Sequence, residues 1–65
     1  MNRLRELRKE RNVTQQELAD EMLVTQRTLA RYESGEHEPR LPIVFDLADY
    51  FEVSIDYLVG RSDVR

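Results

Sequence analysis

The 65-residue chain has no cysteine, a single histidine, two glycines, two prolines, and nothing close to the ~20-residue apolar run that a membrane span requires. Each absence removes a class of protein. Without cysteine there is no disulfide or Cys-ligated zinc to reinforce a marginal core, so stability must come from helix packing and capping. The same absence fits a reducing cytoplasm. His37 stands alone in a proline-flanked segment and reads as a solvated loop residue, with no metal site implied. There is no Gly-rich phosphate loop and too little core to enclose a pocket, which excludes an enzyme and leaves no cofactor or small-molecule ligand to expect. Met1 leads into charged residues rather than a signal sequence. The expectation is one small domain over residues 1–65, with no room for an effector-binding domain.

Charge is present but unevenly placed. Ten basic and thirteen acidic side chains give a net −3, which at first sight argues against a nucleic-acid partner. Residues 1–40 carry eight of each sign, so the whole excess lies in residues 41–65. An acidic C-terminal side is tolerable if it faces away from DNA.

The most informative stretch is Val13 to Gly35, V-T-Q-Q-E-L-A-D-E-M-L-V-T-Q-R-T-L-A-R-Y-E-S-G. Thr14 can cap a helix and Glu17 completes a capping box, while Val13 and Leu18 occupy the two positions of a hydrophobic staple. Val24, Thr25 and Leu29 repeat the device, which predicts a second helix from about Gln26 to Ser34, ended by Gly35 in a left-handed conformation. Two capped helices so close together form a helix-turn-helix over about residues 14–34, the unit that lays its second helix in the DNA major groove. Gln26, Arg27 and Arg31 fall on one side of that helix, away from Leu29 and Tyr32. Gln and Arg pair bidentately with adenine and guanine edges, although the same residues also suit a solvated helix face.

The remainder reads as three more helices. The first spans about Asn2 to Arg11 with Leu4 and Leu7 as its stripe, and Asn12 suits the left-handed residue beyond it. Arg8, one turn from Leu4, is oddly placed for a solvated charge. The fourth, about Leu41 to Phe51, carries a broad apolar face, with Pro42 in its first turn. Val53, Ser54 and Leu58 are a third copy of the staple, so the fifth helix runs from about Ile55 to Val59 and Gly60 ends it. Residues 61–65 read as a frayed tail.

These marks together, L-R-K-E-R-N-V-T-Q-Q-E-L-A, then Tyr32-Glu33-Ser34-Gly35, Glu38-Pro39 and L-A-D-Y-F-E-V-S-I-D-Y-L, resemble the XRE, or lambda-repressor-like, family of helix-turn-helix DNA-binding domains. The resemblance covers Leu4 to Gly60. It implies a compact, all-α, five-helix domain, bacterial or phage. The function it implies is transcriptional regulation, as a repressor, by a homodimer on a palindromic double-stranded operator in the cytoplasm. It further implies base contacts by Gln26, Arg27 and Arg31, and phosphate contacts by Gln15, Thr25, Thr28 and Ser34. In the resemblance Gln15 also braces Gln26, and Arg8 and Glu33 form a partly buried ion pair; an ordinary exposed pair is the alternative.

Two departures stand out. Leu23 occupies a turn position where the family favours Gly, so either its backbone is strained or the turn differs. Glu36 and Glu38 occupy a loop where relatives place Lys or Arg against phosphate. That acidity suits a second function class, a protein-interaction module of antitoxin or anti-repressor type with weak DNA binding.

Overall fold

The computed structural model describes residues 2–65, and within them the fold is all-α, as the patterning predicts. Helices α1 (Leu4–Glu10), α2 (Gln15–Met22), α3 (Gln26–Ser34), α4 (Leu41–Phe51) and α5 (Ile55–Leu58) surround one core. Leu4, Leu7, Leu18, Ala19, Met22, Leu29, Val44, Leu47, Ala48, Phe51 and Leu58 build it, so every helix contributes at least one side chain.

A single local device is used three times. In Asn12-Val13-Thr14, Leu23-Val24-Thr25 and Glu52-Val53-Ser54, the first residue is left-handed, with φ of 57°, 59° and 56°. The amide of the following valine then donates back to the previous helix, Val13 to the Arg8 carbonyl, Val24 to Ala19 and Val53 to Ala48, each at 3.0 Å. These are Schellman closures. The hydroxyl residue caps the next helix, with Thr14 accepting from the Glu17 amide, Thr25 from Thr28 and Ser54 from Tyr57. Each valine packs against the core beside it. One tripeptide therefore ends a helix, turns the chain and starts the next, which is why three connections are so short.

Leu23 is the strained case, at φ 59° and ψ 40°, with its side chain 91% exposed. Glu52 shares that conformation and was not anticipated, because only its place in the repeated tripeptide signals it.

Two other expectations need correction. Helix α1 starts at Leu4, one residue later than an Asn2 cap implies, because Arg3, at φ −102° and ψ 17°, is not helical; its amide donates to the Leu58 carbonyl at 2.8 Å. Asn2 still serves the helix end, since its Oδ1 accepts from the Leu4 amide while its Nδ2 donates to the Tyr32 carbonyl. The end of the chain is also not frayed. Arg3 donates through Nη1 to the carbonyls of Tyr57 and Ser62, and through Nη2 to Asp63. Arg65 forms a two-pronged pair with Glu10, and the Ser54 amide donates to the Arg65 carbonyl. Both guanidinium groups stack on the Tyr57 ring, at 4.1 and 5.1 Å from its centroid. Residues 61–65 thus fasten α5 to α1.

Candidate nucleic-acid interface

Helix α3 is fixed from its inner side and presents its outer side. Leu29 is fully buried and Tyr32 packs on the core, while Gln26 and Arg27 are exposed and Arg31 partly so. Three adjoining depressions border this outer side. One is lined by Arg27, Ala30, Arg31, Ser34 and Glu36, a second includes Arg5, Gln15, Ala30 and Ser34, and a third includes Lys9, Thr14, Gln15 and Gln26.

At the start of α3 a chain of polar side chains sets the orientation of Gln26. Arg8 donates through Nε and Nη2 to the Glu33 carboxylate at 2.6 and 3.2 Å, and through Nη1 to the Val13 carbonyl. The pair is well shielded, with side chains 11% and 4% exposed. Gln15 donates to Glu33 at 3.1 Å, and Gln26 donates to the Gln15 carbonyl oxygen at 3.5 Å. The direction of each link follows from chemistry. Arginine only donates and a carboxylate only accepts, so Gln15 must turn its NH2 to Glu33 and its oxygen to Gln26. Gln26 then answers with one N–H and keeps its other N–H and its carbonyl, which is the pair an adenine edge requires.

The remaining predicted residues divide. Thr25 caps α3 and also donates to the Thr28 hydroxyl at 2.9 Å, which leaves the Thr28 proton available to an outside acceptor. Ser34 is engaged internally, donating to the Arg31 carbonyl and accepting from the Glu36 amide. Arg31 is not isolated, because its Nε lies 3.4 Å from the Glu36 carboxylate. The acidic loop splits: Glu36 lies on the α3 side, whereas Glu38 lines a different crevice with Asn2, Tyr32 and Val59.

Sequence reading missed Arg5 and Lys9. Both are exposed, line these depressions and stand one helical turn apart on α1, a spacing visible in L-R-E-L-R-K-E. With Arg27 and Arg31 they give the face four cations, against which stand Glu33, paired with Arg8, and the exposed Glu36 beside Arg31.

The fold and this face define a helix-turn-helix domain. Comparison with known proteins agrees: residues 4–58 match the model of the helix-turn-helix family, XRE type, and the chain belongs to that family. It is 43% identical over 62 residues to the HTH-type transcriptional regulator AnsR of Bacillus subtilis, covering 95% of this chain and 53% of that protein. It is 42% identical over 59 residues to the cryptic phage CTXphi transcriptional repressor RstR of Vibrio cholerae, covering 91% and 53%. An uncharacterized HTH-type transcriptional regulator of Methanocaldococcus jannaschii is 34% identical over 62 residues, covering 95% and 94%. The chain thus spans about half the length of the first two relatives and nearly all of the third. All three carry the names of transcriptional regulators rather than enzymes.

Proposed function

We propose that the protein is a sequence-specific double-stranded DNA-binding transcriptional regulator, a repressor acting in the cytoplasm, that reads the major groove with α3. The reading rests on one observation above the others, the chain Arg8–Glu33–Gln15–Gln26, whose long 3.5 Å last link favours for a solvent-facing amide the polarity that base pairing uses. In this reading Gln26, Arg27 and Arg31 contact base edges, and Gln15, Thr25 and Thr28 contact phosphates, joined by Arg5 and Lys9. Ser34 joins the phosphate contacts only if its internal bonds are given up.

A single short helix reads few base pairs, so the protein acts as a homodimer on a palindrome, with half-site centres about 10 base pairs apart. Selecting bound sites from random duplex DNA tests both statements. A palindrome supports them, and recovery of no preferred sequence sinks the reading.

The second reading, a protein-interaction module, draws on a different observation. Leu41 and Phe45, one turn apart on α4, are 66% and 49% exposed. Binding to mixed DNA at low salt separates the two, since an interaction module binds it weakly or not at all.

A further inference from the structure

Arg31 stands near the C-terminal end of α3, where the following loop is folded back over it. The Ser34 hydroxyl donates to the Arg31 carbonyl at 3.1 Å and accepts from the Glu36 amide at 3.3 Å, and the His37 amide donates to the same carbonyl at 3.3 Å. Gly35, at φ 83°, makes the turn possible, and a side chain there would meet no neighbour, so the requirement is purely one of backbone conformation. The turn brings Glu36 beside Arg31, its Oε2 at 3.4 Å from Nε in an ion pair whose side chains are 36% and 63% exposed. Glu38, two residues on, lies elsewhere.

Which edge of the guanidinium is occupied decides what it can still do. Arginine presents five N–H donors in a rigid fork, and the Nη end matches the O6 and N7 acceptors of guanine. Glu36 makes its nearest approach at Nε, at 3.4 Å, as an ion pair without a hydrogen bond. We infer that Glu36 is a specificity-determining positioning residue, which holds Arg31 by its Nε edge so that the Nη end faces a guanine. The inference rests on the DNA-reading function proposed above and adds the residue that sharpens it.

Glu36 has two effects of opposite sign. Restraining Arg31 favours the base for which it is aimed over others. Its charge, within about a Debye length (~8 Å) of phosphates in a docked complex, weakens binding to every sequence. Glu36 therefore exchanges overall affinity for discrimination.

The test uses the 65-residue chain with Glu36→Ala, Glu36→Gln and Glu38→Ala, each checked for helical content. Site selection and salt-dependent competition against random DNA are the readouts, and Arg31→Ala marks which base position Arg31 reads. Glu36→Ala should bind random DNA more tightly, steepen the salt dependence by up to about one phosphate contact, and lose about fivefold of the guanine preference at the marked position. Glu36→Gln, which keeps the side-chain length without the charge, should gain affinity and lose the preference as Glu36→Ala does, because the contact with Arg31 is ionic. Glu38→Ala should leave the preference intact.

A Glu36→Ala variant that gains affinity with its base preference unchanged overturns the inference, because Glu36 then acts by charge alone. Equal loss of preference in Glu38→Ala does so too. A parent chain that prefers no sequence refutes the DNA-reading function itself, and the inference with it.

Discussion

Leu23 offers the cleanest quantitative test of how this fold is held. Its backbone sits at φ 59° and ψ 40°, where an L-residue suffers contact between Cβ and its own carbonyl, at a cost of about 1–2 kcal/mol. Substitution by glycine removes that cost. No burial is lost, because the leucine is 91% exposed, and the amide that donates to the Asp20 carbonyl is retained. Against the gain stands the greater freedom of glycine in the unfolded chain, about 0.4–1 kcal/mol. The net expectation for Leu23→Gly is a stabilisation of about 0–1.6 kcal/mol, which in a domain this small raises Tm by roughly 4–8 °C per kcal/mol. Thermal unfolding followed by circular dichroism measures it. Glu52→Gly, at the matching position of the third tripeptide, should shift in the same direction, and Gly35→Ala should lower Tm. A Leu23→Gly protein with a lower Tm would refute the strain argument and assign the leucine a stabilising contact that its exposure does not suggest.

Base reading predicts that Gln26→Ala or Arg31→Ala loses about 1–3 kcal/mol on the selected site, with relaxed preference at one position per half-site; equal weakening on all sequences would reassign either residue to phosphate. The ion pair separates stability from function. Glu33→Ala strands the Arg8 charge and should destabilise by about 3 kcal/mol, the low end for such a break because the Val13 carbonyl still accepts from Arg8. Replacing both residues by apolar ones (Arg8→Met with Glu33→Leu) should restore most of that stability in denaturant titrations while base preference at the Gln26 position stays impaired. The pH dependence has a stated sign: hydrogen bonds from the Thr14 amide and hydroxyl hold the Glu17 carboxyl below the usual carboxylate range. A depressed folded-state value contributes stability that is present above the usual range and lost as pH falls through the lowered one. Tm measured downward from neutral pH should therefore fall less in Glu17→Gln than in the parent, and identical acid profiles would remove the capping box from the acid response.

Much of this architecture is decided by contacts that span five residues or fewer. A capping hydroxyl, a valine before it and a leucine after it are neighbours in sequence, so α2 and α3 are placed by composition and spacing alone, and Pro42 with a broad apolar face does the same for α4. The same locality, repeated at Asn12, Leu23 and Glu52, carries the left-handed turns. The outward placement of Gln26 and Arg27 follows from helical periodicity against Leu29. Apart from the Arg8–Glu33 pair and the Gln15–Gln26 contact, which came from the family resemblance, the residues by themselves could not express what joins groups far apart along the chain. Arg3 meets Ser62 and Asp63 across 59 and 60 positions, and Arg65 meets Glu10 across 55, which turns an apparently loose end into a fastening. Glu36 and Glu38 look equivalent as residues, yet the turn after Gly35 sends one to Arg31 and the other to a crevice beside Asn2 and Tyr32. Local hydrogen bonds and periodicity have a signature within one or two helical turns. A long-range pairing has none, because it depends on where helices already formed come to rest, and only their packing decides that.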